Sequence, residues 1–202
     1  MTGTGESLTV SKDNMDKLKD ELQKSMTQMK DFEKLKNQVE MTVTQEGLRI
    51  ELLETESGTF FDLGSSRPTE KGQELMDKLA EELGKLPNKI SIEGHTDAKP
   101  YAKTRDYGNW ELSADRANAA RRLMQTKGMR ADQVSQVRGY ADQKLRKPDA
   151  PLDASNRRIS VIVHYLEKQP GSEEAKEGGM DGGAKLNLEE SKPKSENDEK
   201  EH

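Results

Sequence analysis

The stretch that most limits how this chain can fold runs from Ile90 to Met124, ISIEGHTDAKPYAKTRDYGNWELSADRANAARRLM. It opens with strand-like alternation, Ile90 and Ile92 facing one way and Ser91 and Glu93 the other. Gly94 ends that strand, and a loop follows with His95, Asp97, Pro100, Tyr101 and Gly108. From about Asn109 the spacing of Leu112, Ala119, Ala120 and Leu123 predicts a helix. Arg116 breaks the pattern, lying four residues from Leu112 and four from Ala120, in register with the apolar stripe. A guanidinium there cannot shed its charge, so it calls for a carboxylate or a bound anion beside it. Asp97 stands just past the carboxyl end of the predicted strand, where sheets with helical crossovers place ligand sites.

The flanking segments supply the rest of a sheet. Met41 and Val43 alternate, Gln45-Glu46-Gly47 turns the chain, and Leu48, Ile50 and Leu52 alternate again, a β-hairpin. Pro68-Thr69 starts a helix running to about Lys85, with Leu75, Leu79, Leu83 and Leu86 inward and Pro87 as its stop. Lys127-Gly128 ends the second helix, with Gly128 as a left-handed cap. Val134 to Tyr140 and Ile159 to Val163 read as two further strands. The fold class is therefore α+β: a two-layer sandwich of order β-α-β-α-β-β with a mixed sheet over residues 41–168, preceded by a long helix.

That helix is predicted over 12–40, where Met15, Leu18, Leu22, Met26, Met29, Phe32, Leu35 and Val39 recur about every 3.4 residues, close to a heptad. The stripe either lies on its own domain or forms a short parallel coiled coil at a dimer axis. Residues 1–11 read as a flexible start and 169–202 as a disordered acidic tail. The tail carries 10 acidic and 5 basic residues, which leaves 1–168 with 28 of each sign. That balance argues against nucleic-acid binding, which needs a basic face. Cysteine is absent, so no disulfide framework or thiolate chemistry is available. No apolar run approaches the roughly 20 residues of a membrane span, and Met1 leads into no secretory leader.

Gly94-His95-Thr96-Asp97 and Asn109-x-x-Leu112-Ser113-x-x-Arg116-Ala117 resemble the signature of the OmpA-like peptidoglycan-binding domain. Phe60-Phe61-Asp62 and Asn156-Arg157-Arg158 resemble two further blocks of that family, and Gly139-Tyr140-Ala141 departs from its frequent Gly-x-Gly. The long loop with Pro100-Tyr101, followed by Tyr107 to Asn118, is similar to the flagellar stator branch of the family. The resemblance covers about 41–165. It implies a peptidoglycan anchor that holds a motor stator to the wall, working as a homodimer beside a MotA-like stator subunit. It also implies an extracytoplasmic location and a membrane helix upstream, so that the present chain is expected to be part of a longer one. A general envelope tether resembling the peptidoglycan-associated lipoproteins is the alternative.

For Asp97 and Arg116 two readings stand: a structural ion pair, or a clamp for the ammonium and carboxylate that share one carbon in a diaminopimelate side chain. Residue types alone favour the ion pair; the family resemblance favours the clamp. Thr96 is expected to steady the loop and Asn109 to serve as helix N-cap, ligand contact or both, and the family resemblance alone implies that Asp62 and Arg157 contact the ligand at the rim. One arginine of the Arg157-Arg158 pair is expected to pair within the fold, and Trp110 to pack inside. A metal-dependent hydrolase would need more ligands than His95 and Asp97, and His164 and His202 lie far off in sequence. No serine or cysteine nucleophile motif appears, so the expectation is a binding module with no cofactor.

Overall fold

The computed structural model describes residues 14–29, 32–101 and 106–166. The expected loose start at 1–11 and the acidic tail at 169–202 lie outside those residues. The hairpin forms as the alternation predicts, with β1 at Val39–Val43 and β2 at Gly47–Leu53 paired antiparallel. Gly47 makes the turn at φ +141, and a Cβ there would sit 1.9 Å from the Val163 carbonyl oxygen. Helix α3 spans Glu70–Leu83, capped by Thr69, whose Oγ1 accepts from the Gly72 amide at 3.2 Å. Strand β3 (Ile90–His95), helix α4 (Asn109–Thr126), β4 (Val134–Gly139) and β5 (Arg158–His164) complete the sandwich.

The sheet order is β1-β2-β5-β3-β4, with β5 antiparallel to both β2 and β3 and β4 parallel to β3. The β3-α4-β4 crossover is thus the parallel unit of a mixed sheet, and its carboxyl end carries the loop with Thr96 and Asp97. Leu75, Met76, Leu79 and Leu83 of α3 and Ala117, Ala120 and Met124 of α4 are buried with Ile50, Leu52, Ile90, Ile92 and Val161 of the sheet in one core.

The polar side of β3 is covered as well. Glu93 is 2 % exposed, its carboxylate accepting from Arg49 and Arg138 at 2.9 Å each. Burial pushes its pKa up, but the bonds from Arg49 and Arg138 and the His95 ring, whose Nε2 lies 3.7 Å away, outweigh that and hold it down at about 2. Tyr140 stacks on His95 at 5.2 Å, with Lys144 Nζ 3.8 Å from the Tyr140 ring.

The N-terminal helix precedes the sandwich as expected but is shorter than the predicted 12–40. Helix α1 covers Met15–Met26 only, a turn follows at 27–29, and a single helical turn α2 at Phe32–Leu35 leads through residues 36–38 into β1. A continuous helix to residue 40 is excluded because the chain must enter the sheet at Val39. Met15, Leu18, Leu22 and Met26 are buried in the domain's own core, and Ser25 Oγ donates to Glu82 of α3 at 2.7 Å. The stripe is therefore used within the domain, not at a coiled-coil seam. Leu22→Ala should cost about 2–5 kcal/mol of stability. Denaturant unfolding is expected to show that loss, while sedimentation shows no change in oligomeric state.

Candidate cleft at the carboxyl end of the parallel strands

Two glycines set how closely α4 approaches the sheet. A Cβ on Gly94 would stand 2.0 Å from the Ser113 carbonyl oxygen, and one on Gly139 would stand 2.6 Å from the Ala114 amide. With that backbone contact, the helix holds Leu112 and Arg116 on the wall of a cleft of about 620 Å³ that Thr96, Asp97 and Arg157 also line. Asn109 lines it too. Five of the six residues singled out from the sequence therefore meet in one place. Asp62 is the sixth, and it takes part through its backbone: its carboxylate pairs with Arg67 while its carbonyl accepts from Arg116.

Asp97 and Arg116 do not form the ion pair considered above. Asp97 pairs with Arg157, Oδ2 accepting from Nη1 at 2.7 Å, while Oδ1 accepts from the Lys99 amide at 3.1 Å. Arg157 also donates through Nε to Glu54 at 2.8 Å, so one guanidinium bridges two carboxylates. Burial pulls the Arg157 pKa down, and the bonds to Glu54 and Asp97 more than offset it. Arg158, by contrast, turns into the fold toward Glu51 at 2.9 Å, as expected for one member of that pair.

Arg116 is 4 % exposed, and among the described residues no carboxylate lies within ion-pair distance of it. Its Nε donates to the Ser65 carbonyl at 2.9 Å and its Nη2 to the Asp62 carbonyl at 3.3 Å. The guanidinium lies 5.2 Å from the Phe61 ring centroid. Carbonyl dipoles and an aromatic face leave its formal charge uncompensated. Burial lowers its pKa, the field of Glu54 and Asp97 raising it and that of Arg157 lowering it. The cleft is thus lined by a cation without an ion-pair partner among the described residues and by a cation-bridged pair of carboxylates.

Thr96 reaches the site with its backbone amide bonded to the Ala141 carbonyl at 2.8 Å, and its buried Oγ1 has no hydrogen-bond partner among the described residues. A buried hydroxyl without a partner is unusual. Ala141 occupies the place of the family's second glycine and adopts φ +47. That left-handed conformation costs about 1 kcal/mol for alanine; bonds to Ser113 Oγ at 3.0 Å and from Thr96 hold it. Asn109 is not the N-cap, a position taken by Gly108, whose amide donates to Glu111 at 2.8 Å. Its own amide instead donates to the Lys99 carbonyl at 3.0 Å and ties the loop to α4.

Sequence reasoning missed Glu54 and Leu63, and it misplaced Trp110, which is 54 % exposed and not packed inside. Glu54 directly follows a strand of buried leucines, the one available signal that a carboxylate there is committed to the fold. His95 lies under the cleft at 2 % exposure, away from any metal cluster: among the described residues no group of three acidic, histidine or cysteine side chains could hold a metal ion. Nor is any described helix long and apolar enough to cross a membrane.

Comparison with known proteins agrees with this architecture. The chain is 40% identical over 136 residues to Motility protein B of Escherichia coli K12, an overlap of 67% of this chain and 44% of that protein. It is 41% identical over 125 residues to a LafU flagellar export/assembly protein of Escherichia coli O44:H18, covering 62% of this chain and 40% of that one. The chain thus spans less than half of either relative. Two solved structures share the fold: the periplasmic domain of Helicobacter pylori MotB, at TM-score 0.55 and 22% identity over 62% of this chain and 88% of that one. The other is the cell wall anchor of the type VI secretion system from Pseudomonas aeruginosa, at TM-score 0.55 and 22% identity over 65% and 90%. Residues 60–171, more than half of the chain, match the OmpA family, with β3, β4, β5, the crossover helix α4 and the side chains of Thr96, Asp97, Arg116 and Arg157 inside that span and the β1–β2 hairpin and Glu54 before it; the chain belongs to the OmpA family.

Proposed function

We propose that the cleft binds peptidoglycan through the zwitterionic end of a diaminopimelate side chain, and so anchors a flagellar motor stator to the cell wall for torque generation. The observation that carries this reading is a buried guanidinium, Arg116, without a carboxylate partner among the described residues, in the same cleft as an Asp97 carboxylate held in place by Arg157. The ligand ammonium donates to Asp97, and its carboxylate takes the fork of Arg116. Thr96 Oγ1 supplies a further polar contact, Asn109 holds the loop, and Arg157 and Asp62 act as positioning groups. Identity to Motility protein B supports the motor role over a general envelope tether.

In this reading the domain is periplasmic and is tied to the inner membrane by a helix upstream. It works as a homodimer with a MotA-like subunit, and it binds without turnover and without a cofactor. Because α1 spends its apolar face on its own domain, pairing rests on other surfaces.

A single clamp in water gives modest affinity. Asp97→Asn keeps the size and one acceptor but removes the charge, so retention on purified diaminopimelate-containing wall should fall by about tenfold. Its melting temperature should stay within a few degrees. Unchanged retention by a folded variant overturns the clamp.

A further inference from the structure

Arg116 is aligned by a turn that has little else to hold it. Its two hydrogen bonds go to the carbonyls of Asp62 and Ser65, so the turn at 62–65 fixes the plane of the guanidinium. None of residues 62–67 is buried. The turn's own bonds are local, the Ser65 amide donating to the Asp62 carbonyl at 3.0 Å and the Asp62 amide to the Arg67 carbonyl at 2.9 Å. A surface turn without buried apolar side chains opens at low free-energy cost. Among the described residues two side chains bond to it from outside: Arg116 itself, and Tyr101, whose hydroxyl donates to the Gly64 carbonyl at 2.6 Å.

Tyr101 is in turn backed from the helix that carries Arg116. The Tyr107 ring meets it edge-on, with centroids 6.1 Å apart and planes at 73°, and the Tyr107 hydroxyl donates to Asp115 at 2.7 Å. Asp115 directly precedes Arg116 on α4. Burial and the Asp115 carboxylate push the Tyr107 pKa up to about 12, so that hydroxyl keeps its proton and its bond. The fit at the other end is close. Gly64 adopts φ +60, and a Cβ there would stand 2.9 Å from the Tyr101 ring. A closed circuit results, from Asp115 through Tyr107, Tyr101 and the turn back to Arg116.

We propose that Tyr101, braced by Tyr107, is a positioning residue for Arg116 and so makes the cleft selective for a side chain that carries a carboxylate beside its ammonium. This rests on the wall-binding reading of the cleft and concerns how its specificity is set, with no new ligand contact: the Tyr101 hydroxyl is spent on Gly64. A guanidinium fork binds best when its plane is fixed before the ligand arrives, because ordering it afterwards subtracts from the affinity. The Asp97 carboxylate is held separately, by Arg157 and the Lys99 amide. Loss of the Tyr101 bond therefore loosens recognition of the carboxylate and spares that of the ammonium.

Tyr101→Phe removes the hydroxyl and keeps the ring against Tyr107. Two probes are titrated into the full chain and its variants by chemical-shift perturbation, which measures weak binding: the stem tripeptide ending in diaminopimelate, and the same tripeptide ending in lysine, which has the ammonium without the second carboxylate. Tyr101→Phe is expected to weaken the first by about three- to tenfold, as one hydrogen bond would, and to leave the second within about twofold. In an Arg116→Lys background, which has no fork to align, the same change should alter neither probe. In an Asp97→Asn background it should keep its full effect on the diaminopimelate probe. Tyr107→Phe, one step further from the guanidinium, should act in the same direction and by less.

Equal weakening of both probes by Tyr101→Phe shows a general role in the loop and overturns the positioning. An effect that persists undiminished in Arg116→Lys overturns it too, as does a folded Tyr101→Phe chain with the parent's affinities. Each of these leaves the clamp standing. An unaltered chain that binds neither tripeptide, or binds both equally, overturns the wall-binding reading itself and the positioning with it.

Discussion

Arg116→Ala in a full-length protein is expected to abolish or strongly reduce swimming while membrane insertion and flagellar filaments persist. The guanidinium is the one buried cation on the cleft wall that faces no carboxylate partner among the described residues, so its favourable interactions are completed only when an anion arrives. Removing it costs the ligand its charge-assisted fork, worth about 1.5–3 kcal/mol, or roughly ten- to a hundredfold in retention on purified wall. Asp97 keeps its partner in this variant, because Arg157 holds it at 2.7 Å. The expected loss is therefore one of affinity more than of folding.

A structural component remains, since Arg116 also binds the Ser65 and Asp62 carbonyls and lies over Phe61. Arg116→Lys separates the two, keeping a charge over the ring while losing the planar fork. It should fold as the parent does and bind at an intermediate level. Wild-type motility from a well-expressed Arg116→Ala protein would sink the anchoring role. Disappearance of the protein itself would make the carbonyl and aromatic contacts the better account.

The second large effect is on stability in acid. Glu93 is buried beneath Arg49, Arg138 and His95, and its carboxyl is held at about 2 against an ordinary value of 4.5. A carboxylate with a depressed folded-state pKa contributes stability that is fully present above its unfolded value and is lost as pH falls through the folded one. That contribution is about 3 kcal/mol, present above pH 4.5 and lost between 4.5 and about 2. Burial also lowers the His95 pKa below 6.5, helped by Arg158 and opposed by Glu93. The unfolded chain takes up that proton first, so His95 adds a loss in the same direction starting below pH 6.5.

Glu93→Gln should therefore be less stable than the parent by about 3 kcal/mol at pH 7, a gap that closes as pH falls from 4.5 toward 2. Denaturant titrations at successive pH values test this directly. A gap that stays constant across the acid range would assign the loss to packing and leave the charge without a role.

Much of the fold was legible because strands and helices announce themselves in local periodicity. The alternation of Leu48, Ile50 and Leu52, the Thr69 cap, the helical run after Asn109 and Gly128 at φ +128 all behave as their residue types dictate. Arg116 could be picked out for the same reason, a charge in register with an apolar stripe. The sequence by itself thus determined the order of elements, the class of sheet and five of the side chains that line the cleft, though not Glu54 or Leu63.

Partnership was decided only by tertiary structure. Asp97 and Arg116 are near enough in sequence to suggest a pair, yet Arg157, 60 residues from Asp97, takes that carboxylate because β5 runs antiparallel beside β3. The 15–26 stripe has a period that suits a second copy as well as its own domain, and the open core beside α3 and the hairpin claims it. Trp110 has the composition of a core residue, and its place at the first turn of α4 leaves it in solvent. Periodicity states which side of an element is apolar or charged; what lies against that side is set by contacts between segments distant in the chain, which no local pattern encodes.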